Sequence, residues 1–161
     1  MKIATEFLIL HEDGVMPPEE KFCPSLWRHE DSEIDGDYYY DGIDGRWTSL
    51  SISIDAEEHK DTVLDINVYR QNNRNYEPSI CEADDLKRYI QYRREGRYVG
   101  NATISKIKNM CITSMCIETY SVDRYDEFLR TVLFFLDFSG GILVNYGELD
   151  ALSFKQEFID R

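Results

Sequence analysis

Three histidines in this chain each sit beside acids: His11-Glu12-Asp13, His29-Glu30-Asp31 and Glu57-Glu58-His59. Imidazole nitrogens with hard carboxylates are the donor set of hydrolytic zinc or manganese sites, so a metal-dependent hydrolase is one function they could serve. Their spacing argues against it. Adjacent residues on a strand or loop point apart, and no H-E-x-x-H run puts two imidazoles on one helical face. The expectation is therefore exposed loop histidines and no bound metal. The cysteines, Cys23, Cys81, Cys111 and Cys116, lack the paired C-x-x-C spacing of a zinc site. MKIATEFLILHEDG carries no export signal, so they read as reduced core thiols rather than disulfides. There is no G-x-S-x-G elbow and no catalytic cysteine context. Gly140-Gly141 precede a strand rather than a helix, and no phosphate loop occurs, so no cofactor is expected.

The stretch SEIDGDYYYDGIDGRW, residues 32 to 47, places four aspartates, a glutamate and three consecutive tyrosines together. Asp35, Asp37, Asp41 and Asp44 are oxygen donors of the kind calcium takes. Counted from Asp35, however, Tyr39 and Tyr40 fall at the fifth and sixth positions of an EF-hand loop, where a ligand and a glycine belong. Protein recognition suits the composition better. Tyrosine and tryptophan bury large rings at low rotamer cost and keep a polar tip, which makes Tyr38, Tyr39, Tyr40 and Trp47 suitable anchors. The aspartates around them would steer a basic partner. The competing bland reading is an acidic loop whose tyrosines pack on the fold.

Whole-chain charge points the same way. Asp and Glu outnumber Lys and Arg by 31 to 18, a net charge of −13 over 161 residues. Such a chain repels phosphate backbones and anionic headgroups, so no direct nucleic-acid or membrane binding is expected and a partner with a basic surface is favoured. No apolar run approaches the roughly 20 residues of a membrane span, since VLFFLDF is interrupted by Asp137. A soluble, cytoplasmic protein is expected.

At 42% hydrophobic and 13% aromatic, residues 1–161 are enough for one core and one domain. KIATEFLIL (2–10) reads as a strand buried on both faces, followed by a long acidic loop over about 11–45. From Trp47, Leu50, Ile52 and Ile54 alternate with Ser49, Ser51 and Ser53, and Trp47 shares the serine phase. TVLDINVYR alternates again with Leu64, Ile66 and Val68 inward, which predicts an antiparallel hairpin. ADDLKRYIQYRREG changes to helical spacing, with acids first, arginines last and Gly96 as the stop. ATISKIK and MCITSMCIETY read as strands. A core helix spans about 123–138 with Asp123 and Asp126 in its first turn. ILVNY makes a short strand, and SFKQEF reads as a final helix with Ser153 and Gln156 as a capping box.

These elements predict an α+β domain: a mostly antiparallel sheet with two to three helices packed largely on one face. The small acidic α+β character and the C-terminal run of apolar helix, Ser139-Gly140-Gly141-Ile142, short strand and Phe-rich helix resemble the immunity proteins of bacterial polymorphic toxins, including those of contact-dependent inhibition and type VI secretion. The resemblance implies a non-enzymatic cytoplasmic antidote that binds one cognate toxin, often a nuclease with a basic cleft, and blocks its active site. It carries over no residue by position, so the partner-binding residues stay those of the local reading. A phage-encoded nucleic-acid mimic acting on a defence protein would share the same physics.

Overall fold

In a computed structural model, residues 1–14, 16–17, 34–40, 47–56, 59–70, 88, 91 and 102–160 are described. In chain order they form β1 (Ile3–Glu12), β2 (Ile34–Tyr40), β3 (Trp47–Ala56), β4 (His59–Arg70), α1 (Ala102–Lys106), β5 (Met110–Thr119), α2 (Val122–Ser139), β6 (Ile142–Leu143) and α3 (Ala151–Phe154), which continues into a π-helical turn over Lys155–Ile159. The strands make one six-stranded sheet in the order β2-β3-β4-β5-β1-β6. Every pairing is antiparallel. The α+β class is as the sequence predicts.

Alternation within the strands divides the sheet into two unlike faces, because successive residues point to opposite sides. On one face Phe7, Ile9, Leu64, Ile66, Val68, Met115 and Ile117 pack against Phe128, Val132, Phe135 and Leu136 of α2 and against Phe154. This is the main core. Those α2 residues recur at helical spacing, as an amphipathic stripe must. Ser121 caps the helix by accepting from the Arg124 backbone N–H, and Gly140 closes it in the left-handed region at φ 64°. On the other face Leu8, Leu10, Tyr69, Ile112 and Ile142 gather with Ile104 and Ile107 into a smaller cluster. Both faces of β1 are thus buried over Phe7–Leu10, as its unbroken apolar run predicts.

Several expectations are corrected. The acidic stretch is not loop throughout, because β1 runs to Glu12 and residues 34–40 are strand. Isoleucine and tyrosines in IDGDYYY supply β propensity, and Asp35, Asp37 and Tyr39 alternate against Ile34, Gly36 and Tyr38. ATISK is helical rather than extended, with Ile104 and Ile107 buried three residues apart on one side. Short apolar runs do not distinguish the two periods. The last helix begins earlier than the Ser153 capping box, at Ala151, with Asp150 accepting from the Ser153 N–H at 2.8 Å. Of the expected helix around 84–96, Arg88 and Gln91 are helical and the remainder lies outside the described residues.

The turn between α2 and β6 is the tightest point of this packing. A Cβ on Gly141 would stand 2.7 Å from the Leu10 carbonyl oxygen and 2.9 Å from Ile9 Cγ2. The first of these neighbours is backbone and cannot swing away. At Gly140 there is open space, and only the positive φ opposes a side chain. Gly141→Ala should therefore cost about 1–3 kcal/mol through overpacking, and Gly140→Ala about 1–2 kcal/mol through the left-handed backbone alone. Denaturant unfolding of both variants checks this. Gly140→Asn should recover part of its loss, while no side chain should do so at Gly141.

Candidate functional site

The residues with the most evident chemistry are taken up by the structure itself. His11 is 3% exposed on β1 rather than lying in an exposed loop. Its Nδ1 stands 2.9 Å from the Glu12 carbonyl and its Nε2 2.6 Å from Thr113 Oγ1. A carbonyl only accepts, so Nδ1 carries the proton of the neutral ring and Nε2 accepts from the threonine hydroxyl. Phe135 meets the ring edge-on at 5.1 Å. Burial, opposed by the Glu12 hydrogen bond, lowers the His11 pKa from 6.5 to about 4. Glu12 takes the backbone N–H groups of Lys108 and Asn109 at 2.9 and 2.6 Å. Asp13 accepts from Arg70 Nε at 2.9 Å in a largely buried ion pair. A recess of about 180 Å³ opens beside these groups, between Met16, Pro17, Phe135 and Phe138, and His11, Glu12 and Asp13 in its wall hold the structural partners just named. Of the other histidines, His59 opens β4 and His29 lies outside the described residues.

The second sheet face is a better candidate. Register lines up residues Asp37, Ser51, Asp65, Cys116 and Glu6 in one row across β2, β3, β4, β5 and β1. A parallel row holds Tyr39, Ser49, Asn67, Ser114 and Leu8, and a third holds Asp35, Ser53, Val63, Glu118 and Ala4. Hydroxyl and thiol groups donate to the carboxylates. Ser51 Oγ donates to Asp65 Oδ1 at 2.7 Å; Ser114 Oγ and Cys116 Sγ donate to Glu6 Oε2 at 2.9 and 3.1 Å. Ser49 Oγ bonds Asn67 Oδ1 at 3.2 Å. Glu118, exposed at the margin, pairs with Lys2 at 3.2 Å. The face is acidic, lined by donors already turned toward acids.

Cys116 therefore departs from the core-thiol expectation that Cys111 fulfils. Cys116 is half-buried on the polar face, and desolvation pushes its thiol up to about 12. The proton stays on sulfur, and the group acts as a hydrogen-bond donor rather than a nucleophile.

The predicted binding residues are distributed by this register. Asp35, Asp37 and Tyr39 stand across from Ser53, Ser51 and Ser49, in the rows of the acidic face. Tyr38 stands across from Leu50 and shares the row of Ile66, Met115 and Phe7, which is the core face. A bulge between Tyr39 and Tyr40 pairs Tyr40 with Trp47, and such a bulge increases local twist. Asp41 and Asp44 lie outside the described residues. The sequence reading missed Glu6, which lies in a segment expected to be a strand buried on both faces, and Asp65 and Cys116. Asp65 was legible as the outward phase of TVLDINV; the row that joins the three exists only once register is known.

Together these features define a class: a single antiparallel sheet with one face packed by α2 and α3 and the other divided between an acidic, hydroxyl-lined region and a smaller apolar cluster that includes Ile104 of α1. Compared with known proteins, the chain matches no family model, no curated protein and no solved structure. Among the described residues no group of three or more His, Cys, Asp and Glu side chains could hold a metal ion, and no helix is long and apolar enough to cross a membrane.

The buried neutral His11 gives stability a defined pH dependence. Between pH 6.5 and about 4 the unfolded chain binds a proton that the folded ring refuses. Stability from this group is full above that window and falls as the pH drops through it, by about 3 kcal/mol for a shift of this size. Urea unfolding at pH 7.5 and 4.5 should show this loss in the parent, and His11→Gln should show a visibly flatter dependence.

Proposed function

We propose that this protein is a non-enzymatic inhibitor that binds a cognate toxin through its acidic sheet face and the adjoining stretch from Asp35 to Trp47. The toxin class this charge suits is a nuclease, whose cleft must be basic to hold nucleic acid, and the protein would act in the cytoplasm as an immunity protein does. The observation that carries the reading is the row of Asp37, Asp65 and Glu6 at alternate strands, with Ser51 and Cys116 between them. Carboxylates spaced along a firm sheet imitate a line of phosphates. The whole-chain charge of −13 extends the same field outward, and such fields raise association rates by roughly ten- to a thousandfold at low salt. The burial of His11 and the engagement of both its nitrogens favour this reading over the hydrolase.

Pull-down from the native host at low and high salt should recover a basic protein whose retention weakens as salt rises. Recovery of nothing, or of an acidic partner held equally at both, would sink the proposal. With the partner in hand, exchanging Asp35, Asp37, Asp41 and Asp44 for asparagine should slow association at least tenfold at low salt. Stability should stay within about 0.5 kcal/mol, as for most surface changes. Unchanged on-rates would remove the steering role.

A further inference from the structure

The sheet is closed unequally at its β1 margin. β6 is only Ile142–Leu143 and pairs with Ile9 and Leu10 alone. Beyond it, Val144 N–H donates to the Leu8 carbonyl at 2.9 Å, and the Asn145 side chain stands in for a strand. Its Oδ1 accepts from the Leu8 N–H at 3.0 Å and its Nδ2 donates to the Glu6 carbonyl at 2.8 Å. These contacts show that even-numbered residues of β1 aim their backbone groups away from β5. By the alternation of an antiparallel ladder, Glu6 N–H and both backbone groups of Ala4 point the same way, and Lys2 precedes the strand. Among the described residues no segment pairs with them, and Ala4 and Lys2 are exposed.

We infer that this margin, Lys2 to Glu6, is a strand-addition site for an extended segment of another protein in which basic and apolar residues alternate. Main-chain hydrogen bonds to an open edge supply affinity, and alternate side chains supply specificity. On the acidic face an incoming residue opposite Glu6 meets its carboxylate directly, so a basic side chain is complementary there, while Lys2 at the end of the margin is already paired with Glu118. On the opposite face its neighbours meet the half-buried Ile3 and Thr5 and an aromatic rim. In that rim Tyr146, 49% exposed, packs at 5.2 Å on Phe7 and 5.8 Å on Phe158. A second copy of this chain fits less well, because each copy carries −13 and like charges oppose their approach. The site lies at the opposite side of the sheet from β2 but shares Glu6 with the acidic row; its test reads main-chain pairing along β1, so its failure can be told from failure of the toxin-binding reading.

Titrating the full chain with a synthetic peptide of strictly alternating Arg and Val, and with the same residues arranged in two blocks, separates strand addition from charge attraction. The alternating peptide should bind at least tenfold more tightly and should slow hydrogen exchange at the Ala4 and Glu6 amides. Ala4→Pro, which removes an edge donor that no described residue uses, should abolish that difference. Equal binding of the two peptides, or exchange protection confined to other strands, would overturn the inference without need of any variant. So would a dimer of the parent that Ala4→Pro dissolves, since a second copy would then be the occupant.

Discussion

Phe7 fixes the register on which everything else depends. Its ring is fully buried and lies within 5.2–5.8 Å of Phe128, Tyr146, Phe154 and Phe158. β1, α2, the segment after β6 and the C-terminal turn therefore all meet on one side chain. A slip of β1 by one residue would exchange its faces, sending Glu6 and Leu8 into that aromatic cluster and Phe7 onto the polar side. An unpaired carboxylate among aromatic rings costs far more than any shifted contact could return. The aromatic cluster thus dictates, from the opposite face of the sheet, where the carboxylate of Glu6 stands.

The spacing within that row follows from the same sheet geometry. Strands lie about 4.8 Å apart, so acids on every second strand are separated by about 10 Å. Two unit charges at that distance repel by about 0.4 kcal/mol in water and about 1.7 kcal/mol at an effective dielectric of 20. That is tolerable beside what Ser51, Ser114 and Cys116 return as donors to the carboxylates, each such bond being worth roughly 1 kcal/mol or more. Acids on adjacent strands would double the repulsion and leave no room for the donors between them.

How much of this was legible in the sequence depended on how far apart the deciding residues lie. α2 was readable because its signals are local: an apolar stripe, Asp123 in the first turn and Gly140 at its end. The β3–β4 hairpin was readable because serine and aliphatic residues alternate without a break. β2 was concealed, since Asp35, Gly36 and Asp37 carry low β propensity and only pairing with β3 stabilises them as strand. α1 was misread because five residues cannot display a period. His11 resembled a loop residue in its acidic neighbourhood, and what buries it, Thr113 and Phe135, lies over a hundred residues away.

That distinction bears on which parts of the chain can carry recognition. His11, Glu12 and Asp13 look reactive in one dimension, yet each holds a structural partner, Thr113, the turn at Lys108–Asn109 and Arg70 respectively. Groups so engaged hold the end of β1 in place, and withdrawing His11 or Asp13 would leave a buried partner, Thr113 or Arg70, unsatisfied. The carboxylates of the sheet row differ in arrangement, standing in a line across the strands rather than at the end of one. A carboxylate has about four acceptor positions, and Asp65 and Glu6, half-buried at the surface, keep capacity beyond the donors they already hold. A partner bringing arginine or lysine would add bonds to an arrangement that is already set. Little ordering would be needed, and binding free energy would not be spent on building the site.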